Sequence, residues 1–153
     1  MANTYSQLYI HGIFAVKYRE AVIHKEWKHE LLGVIGNLIN KTNCKTILVN
    51  GVEDQVHCFF GIIPRLSISD VMQIAKGKSS KWVNDNNLLK HRFEWQIGYG
   101  CFSYNHSQID NLFKYIQNQE EHHKKETFKD EYERILNEFG VCYDEKYLFD
   151  DLI

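Results

Sequence analysis

The sequence predicts an α+β domain with a ferredoxin-like (RRM-like) antiparallel sheet, in the order β-α-β-β-α-β, followed by C-terminal helices. Three observations support this class. Strand-like and helix-like segments alternate in that order, a short polar turn separates the second and third strands, and no linker or low-complexity segment divides the chain. The 153 residues are therefore predicted to form one domain, 1–153, long enough to bury a core.

The first half of the chain contains three predicted strands and one helix. Residues 5–18 are rich in β-branched and aromatic side chains and predict the first strand. Residues 25–42 place apolar side chains at helical spacing and predict an amphipathic helix. Residues 46–64 predict a strand, a turn and a second strand, with Asn50 and Gly51 near the bend.

A second helix and a last strand complete the predicted sheet domain. Ser67 and Asp70 have the spacing of a helix start, and the helix that follows is expected to run to about Asn84. Residues 93–104 are aromatic and contain two glycines, so they predict a final strand with a bulge or bend. These two helices are expected to cover one face of the sheet.

The C-terminal part is predicted to be helical. The sequence "NHSQ" caps a helix expected over about 107–123, and a further helix is expected over about 128–139. Gly140 ends that last helix, because glycine adopts the left-handed conformation that closes many helices. Residues 143–153 are expected to be irregular.

Composition excludes several classes of protein. No apolar run approaches the ~20 residues that span a bilayer, so no membrane association is expected. The N-terminus lacks the charged-then-apolar pattern of a signal peptide. The four cysteines are scattered, without a C-x-x-C pair, so a reduced, cytoplasmic protein is expected.

The net charge of −2 hides an asymmetry between the two parts of the chain. Residues 1–92 carry 12 Lys and Arg against 7 Asp and Glu, whereas residues 93–153 carry 6 against 13. Such an asymmetry indicates either an interaction surface or a solvated acidic tail, and charge alone does not separate the two interpretations.

Gln55 and His57 form the first candidate site. Residues two apart in a strand project from the same face, so both side chains can reach one cation. An imidazole nitrogen and an amide oxygen suit Mn²⁺ or Mg²⁺ better than a structural zinc. For an isolated histidine on a strand, a packed core residue is the more common explanation.

Tyr115 and Gln119 form the second candidate site. They are four residues apart and therefore neighbours on one helical face. Tyrosine can form covalent intermediates, but its ordinary pKa near ~10 means that it must be activated. The alternative is a structural tyrosine. Residues 120–125, "EEHHKK", could form a metal cluster, although a solvated helix face is the favoured interpretation.

Basic residues beside an aromatic form the third candidate site. Lys76, Lys78, Lys81 and Arg92 could hold phosphates while Trp82 stacks a base. An ordinary exposed helix face with Trp82 in the core is equally compatible with the pattern.

Six blocks, in this order, resemble the single-tyrosine (Y1) transposases of the IS200/IS605 type, which belong to the HUH endonucleases. The resemblance covers nearly the whole chain. The blocks are "YIHGIFAVKYR", "VNGVEDQVHCFFGI", "SISDVMQIAKGKSSKW", "FEWQIGYGCFSYNHSQID", "YIQNQEEHHKKETFKDEY" and "YDEKYLF".

The resemblance implies DNA transposition, a form of DNA recombination, on single-stranded DNA. Tyr115 matches the nucleophile, which would form a 5′-phosphotyrosine intermediate and then rejoin strands. His57 matches the second metal histidine and Gln119 the additional ligand, with Mg²⁺ or Mn²⁺ as the cofactor. Such enzymes recognise subterminal hairpins and form homodimers with sheets joined edge to edge, in which one subunit's tyrosine helix can complete the partner's site.

The sequence departs from the family pattern at one position. The family has His-hydrophobic-His, whereas this chain has Gln55-Val56-His57. Glutamine oxygen still binds Mg²⁺ or Mn²⁺, but the metal affinity is expected to be lower. Two outcomes stay open: a working enzyme, or an inactive relic that still binds hairpin DNA. A non-catalytic RRM-like RNA-binding module is a third interpretation, although the aromatic RNP1 signature of RRM domains is missing.

Overall fold

The sheet has four antiparallel strands, and its two central strands are buried on both faces. The computed structural model describes residues 4–144. The strands are β1 (Tyr9–Ala15), β2 (Lys45–Val52), β3 (Gln55–Gly61) and β4 (Gly100–Tyr104). Their order is β2-β3-β1-β4. This arrangement confirms the predicted α+β class with a ferredoxin-like sheet.

Helices cover both faces of this sheet. The long helices α1 (Lys25–Lys41) and α2 (Ile68–Asp85) lie on one face. The shorter helices α3 (Ile109–Gln117), α4 (Gln119–His122) and α5 (Phe128–Glu138) lie on the other. Among residues 4–144, no helix is both long and apolar enough to cross a bilayer.

The face under α1 and α2 holds the larger core. Successive strand residues point to opposite faces, so every second residue of β1 and β3 faces these helices. The residues of β1 and β3 that are buried on this face are apolar, and they pack on the apolar stripes of both helices. The strands contribute Ile10, Phe14, Val56, Cys58 and Phe60, and the helices contribute Leu31, Ile35, Val71 and Met72 among others.

The opposite face holds two smaller apolar clusters. Ile13 and Phe102 pack against Ile135 of α5. Phe59 packs against Leu112 and Ile116 of α3, together with partly buried neighbours. These clusters flank a central strip of the sheet where the buried side chains are polar, and that strip is described below.

The local start and stop signals work as the sequence predicts. The Ser67 Oγ atom accepts a hydrogen bond from the Asp70 backbone N–H at 3.0 Å, at the start of α2. Gly140 has a φ of 65° just after α5, the left-handed conformation that glycine adopts without strain. Part of the predicted irregular tail, residues 145–153, lies outside the described residues.

The bend between β2 and β3 lies near Asn50 and Gly51, as predicted, but neither residue forms it. Both residues belong to β2, and the turn falls at Glu53 and Asp54. Neither Asn50 nor Gly51 has the positive φ that a type I′ hairpin turn requires. Gly51 has a different role, because a Cβ atom there would collide with the backbone oxygen of Gln55. The absence of a side chain lets the two strands approach closely beside the candidate site.

Two predicted boundaries were wrong. The strand expected over 93–104 is regular only in β4, and before it Trp95 forms an isolated bridge with Val16. The helix expected over 107–123 is interrupted at Asn118, which has non-helical dihedral angles. The Asn50 side-chain amide donates to the carbonyls of Ile116 and Gln117, at 2.8 and 3.1 Å, and so replaces helical hydrogen bonds at the break.

Candidate active site

The buried polar side chains of the protein are concentrated at one place. Among residues 4–144, six polar or charged residues are buried, and all but Ser79 form one hydrogen-bonded cluster between the sheet and the C-terminal helices. Burial of polar groups is costly unless they have partners, so such a cluster marks a specific arrangement. Its members are His11, Gln55, His57, Gln119 and Glu131.

The two histidines are held together by the strand pairing of β1 and β3. His11 Nε2 lies 2.8 Å from His57 Nδ1, and the two rings are stacked with centroids 5.1 Å apart. One of these two nitrogens carries the shared hydrogen. The contact orients the His57 ring so that its other nitrogen, Nε2, points towards the C-terminal helices.

Four polar atoms converge on the side-chain nitrogen of Gln55. An amide nitrogen has only two hydrogens, so it cannot satisfy all four of them. The Gln55 Oε1 atom is itself buried without a hydrogen-bond partner. The four neighbours of Gln55 Nε2 are His57 Nε2 at 3.1 Å, Gln119 Oε1 at 3.3 Å, His123 Nε2 at 2.6 Å and Glu131 Oε1 at 3.0 Å.

The two oxygens of Glu131 face different groups. Oε1 lies 3.3 Å from His57 Nε2 and 3.1 Å from His123 Nε2. Oε2 accepts a hydrogen bond from the Tyr115 hydroxyl. The Arg134 guanidinium donates to the same hydroxyl oxygen at 2.8 Å. One carboxylate therefore joins the tyrosine to the imidazole cluster within a single chain.

The surroundings keep Tyr115 protonated and Glu131 ionised. Burial raises the pKa of Tyr115 well above its usual value, the Glu131 charge and hydrogen bond raise it further, and Arg134 opposes them. Burial alone would raise the pKa of Glu131, but hydrogen bonds from His123 and His57 hold it well below its usual range. Burial, then His57, lowers the pKa of His11.

The tyrosine helix is anchored on its own sheet. Leu112 and Ile116 of α3 pack on Phe59, which places Tyr115 beside the polar strip. The Lys28 ammonium ties α1 to this region, because it donates to Glu120 at 2.7 Å and to the Gly51 carbonyl at 3.2 Å.

The structure brings four of the predicted site residues together. Gln55, His57, Tyr115 and Gln119 all belong to, or touch, the cluster, although their predicted roles stay predictions. Gln119 follows the helix break, yet its amide still lies 3.4 Å from the Tyr115 carbonyl and from Glu131 Oε2.

The predicted DNA contacts lie outside this cluster. Lys76 and Arg92 line a groove of about 540 Å³ between α2 and the segment before β4, and neither Lys78 nor Lys81 lines it. The Lys76 ammonium donates to the carbonyls of Gln96 and Gly98, at 2.8 and 2.6 Å.

The charges of the other predicted DNA contacts are also engaged, with one exception. Lys81 is paired with Asp85, and Arg92 lies 3.6 Å from Glu94. Lys78 is exposed. Trp82 is partly buried against the main core, so its ring is mainly a packing group.

The solvated-face interpretation of residues 120–125 was wrong at both histidines. Glu120 and Glu121 are exposed as expected, but the His123 side chain is only 11% exposed and turns into the cluster. His122 packs on the Tyr115 ring, with centroids 4.5 Å apart.

Sequence reasoning also missed His11, Glu131 and Arg134. Glu131 had a signal, because it occupies the position of α5 between Phe128 and Ile135 where the apolar stripe requires an apolar side chain. A carboxylate at such a position is buried and needs partners.

The fold of the chain is similar to the folds of transposases of known structure. One is described as a transposase from Deinococcus radiodurans, with 22% sequence identity, a TM-score of 0.63, and coverage of 78% of this chain and 95% of that one. Another is a REP-associated tyrosine transposase bound to a REP hairpin, with 13% identity, a TM-score of 0.61, and coverage of 100% of this chain and 92% of that one. At these identities the likeness establishes the fold.

Sequence comparison gives the family. The family model described as "Transposase IS200 like" matches residues 4–119, and the chain belongs to this family. Curated relatives include the transposases for insertion sequence element IS200 of Salmonella typhimurium strain LT2 and Salmonella typhi. Each is 29% identical over 80 residues, which is 52% of this chain; the match spans about half (53%) of the length of these relatives. Tyr115 and Gln119 lie inside the family match, whereas His123 and Glu131 lie beyond it.

Proposed function

We propose that this IS200-like transposase cleaves and rejoins single-stranded DNA through a 5′-phosphotyrosine intermediate, with Tyr115 as the nucleophile. One observation carries the proposal. The Tyr115 hydroxyl is hydrogen-bonded to one carboxylate oxygen of Glu131, and the other oxygen of Glu131 contacts His57 and His123. A candidate nucleophile therefore lies beside a group of side chains that can bind a metal ion.

The cleavage step follows from this arrangement. The Tyr115 oxygen attacks the scissile phosphorus, a new O–P bond forms, and the bond from phosphorus to the 3′ oxygen breaks. Glu131 Oε2 accepts the hydrogen bond of the attacking hydroxyl and so orients its oxygen. The phenolic proton passes to solvent, and the leaving 3′ oxygen gains a proton from solvent. The Arg134 guanidinium stabilises negative charge on the tyrosine oxygen. Rejoining is the reverse reaction, with the 3′-hydroxyl of another strand end as the attacking group.

The residues predicted to hold a divalent ion fit that purpose. Gln55, His57 and Gln119 converge, and Gln55 has a buried oxygen without a partner that a cation would satisfy. A bound Mg²⁺ or Mn²⁺ would polarise the scissile phosphate and stabilise the charge that develops on it. The chain's own contribution is to orient His57 through His11 and to hold the tyrosine in place.

Hairpin-ended single-stranded DNA is the proposed substrate. The REP-associated transposase with the same fold was solved with a REP hairpin, which supports a hairpin as the ligand here. The groove lined by Lys76 and Arg92 offers a place for phosphates. We also propose that the protein forms a homodimer in which the two sheets join through an edge strand, β2 or β4.

The RNA-binding alternative receives no support from the second sheet face. RRM domains stack bases on exposed sheet aromatics. In this chain the aromatics on the corresponding strip are covered by the C-terminal helices, with Phe59 0% and Phe102 5% exposed. We therefore favour the catalytic proposal over an open sheet platform.

The test is a covalent adduct assay. Fluorescent single strands copied from the DNA that flanks the gene are incubated with the protein and Mn²⁺, and the products are separated on denaturing gels. We expect a protein–DNA adduct for the wild type and its loss, by at least about 1,000-fold, in Tyr115→Phe, because the nucleophilic oxygen is gone.

Tyr5→Phe is the matched control, because Tyr5 is 92% exposed and belongs to neither the cluster nor its hydrogen-bond partners. This variant should form the adduct at the wild-type level. An adduct that survives in Tyr115→Phe would contradict the assignment of the nucleophile. Hairpin binding without any adduct in the wild type would identify an inactive relic.

A further inference from the structure

We infer that His123 and Glu131, together with His57, form the divalent-cation site of this chain, so that two ligands come from the segment after the tyrosine helix. What the ion does rests on the proposed function, whereas its binding does not. The three donor atoms lie within 4.8 Å of one another.

Two of the three separations between the ligand atoms match a coordination shell, and the third is bounded by 4.8 Å. Ligands at about 2.0–2.2 Å from an ion are separated from each other by about 3.0 Å in an octahedron and about 3.4 Å in a tetrahedron. Glu131 Oε1 lies 3.3 Å from His57 Nε2 and 3.1 Å from His123 Nε2. Both of these separations lie between the octahedral and the tetrahedral value.

The crowding around the Gln55 amide has the same explanation. Its nitrogen lies amid four atoms that can act as metal ligands, including one nitrogen of each histidine and an oxygen of Glu131. A cation at this place would interact favourably with all four once both nitrogens are deprotonated. Rotation of the Gln55 amide by half a turn would present the oxygen that now has no partner as a further ligand. A bound cation would therefore provide a partner for buried polar atoms that the protein alone leaves incompletely paired.

His123 supplies the nitrogen that β3 lacks. The strand carries Gln55 where the family resemblance implies a histidine, and His123 Nε2 lies 2.6 Å from the Gln55 amide nitrogen. His123 also lines a cleft of about 390 Å³ at the surface, together with Lys28 and Asp54. The cleft gives an ion a route from solvent to the buried donors.

The donor set predicts which ions bind. Two imidazole nitrogens and one carboxylate suit Mn²⁺, Co²⁺ and Zn²⁺, whereas Mg²⁺ prefers oxygen ligands and retained waters. His57 can ligate through Nε2 when its hydrogen is on Nδ1, from which it donates to His11 Nε2. The site therefore favours transition metals over Mg²⁺, unlike the oxygen-rich site that Gln55, His57 and Gln119 alone would form.

The experiment measures ion binding by the full chain without DNA. Protein stripped with EDTA and then freed of chelator is titrated with MnCl₂, ZnCl₂ and MgCl₂ in a calorimeter, and with CoCl₂ while the visible absorption is recorded. We expect Mn²⁺ and Zn²⁺ to bind at least about tenfold more tightly than Mg²⁺. His123→Gln and Glu131→Gln should each weaken Mn²⁺ binding at least about 100-fold, since loss of an outer partner alone costs about 10–100-fold.

Two exposed residues of the same types serve as controls. His29→Gln and Glu121→Gln should bind Mn²⁺ like the wild type. Circular dichroism checks that each variant is folded, and His123→Gln provides the decisive variant if Glu131→Gln does not fold, because His123 reaches the surface cleft. Gln55→His should strengthen Mn²⁺ binding.

The outcomes separate this inference from the proposed function. Unchanged Mn²⁺ affinity in a folded His123→Gln, or a wild type that binds neither Mn²⁺ nor Zn²⁺, would overturn the inference. Adduct formation together with unchanged ion affinity in His123→Gln would overturn it and leave the proposed function standing. Ion binding through these residues without any DNA adduct would support the inference and overturn the proposed function.

Discussion

The two faces of the sheet are buried to the same degree but by different chemistry. Under α1 and α2, the strands bury apolar side chains such as Phe14 and Phe60. On the opposite face the same two strands bury His11, Gln55 and His57. Because side chains alternate along a strand, β3 contributes to both faces with neighbouring residues.

The difference shows how one strand can serve stability and chemistry separately. Apolar burial on the first face stabilises the fold without requiring specific partners. The polar face is stable only when each group has a partner of the right geometry, and it is the face on which the tyrosine lies. Substitutions on the two faces should therefore affect different measurements.

The largest effect is expected from Phe60→Ala on the apolar face. Loss of a fully buried aromatic side chain should lower the free energy of unfolding by about 3–5 kcal/mol, measured by urea denaturation. Ion affinity of the folded variant should not change. Ile97→Ala is the control and should cost less than about 0.5 kcal/mol, because Ile97 is 86% exposed. A loss of Mn²⁺ affinity in folded Phe60→Ala as large as in His123→Gln would show that the two faces are coupled.

An intermediate effect is expected from His11→Phe on the polar face. Phenylalanine keeps an aromatic ring but removes the hydrogen-bond partner of His57 Nδ1. Because such outer partners orient the ligand, Mn²⁺ affinity should fall by about 10–100-fold in calorimetric titrations. His11→Gln, which can still bond to His57, should recover part of the loss. Equal affinities in both variants and the wild type would mean that His57 is oriented without His11.

The smallest effect is expected from Asn50→Ala at the helix break. The variant loses two hydrogen bonds to the carbonyls of Ile116 and Gln117, so the free energy of unfolding should fall by about 1–2 kcal/mol. Amide hydrogen exchange in α3 and α4 should accelerate, as measured by mass spectrometry. Asn111→Ala, at an exposed position of α3, is the control. Unaltered exchange in Asn50→Ala would indicate that packing on Phe59 alone holds the tyrosine helix.

Local patterns predicted most of the fold and part of the site. Some features depend only on residues close together in sequence, where spacing determines geometry. They are the Ser67 cap, the glycine after α5, and the position of Gln55 and His57 on the same face of β3. The neighbouring positions of Tyr115 and Gln119 followed from helical spacing in the same way.

The parts of the fold and the site that the sequence did not predict depend on contacts between residues that are distant in sequence. Gln55 and Glu131 are 76 positions apart, and no local spacing brings them together. The helix break at Asn118 depends on the side chain of Asn50 in another element. His123 was interpreted as solvated because its neighbours in sequence are charged, whereas its environment is created by the packing of α5.

The order of residues along the chain has a consequence for how these proteins could assemble and diverge. Tyr115, Gln119, His123 and Glu131 occupy one stretch, 115–131, while the sheet contributes only Gln55, His57 and His11. If two copies exchanged this stretch, the proposed nucleophile and the proposed ion ligands His123 and Glu131 would pass to the partner together. The receiving copy would then contribute only strand residues to the proposed site. On this proposal, a glutamine on the strand, where the family resemblance implies a histidine, is balanced by an imidazole that lies in the same stretch as the tyrosine.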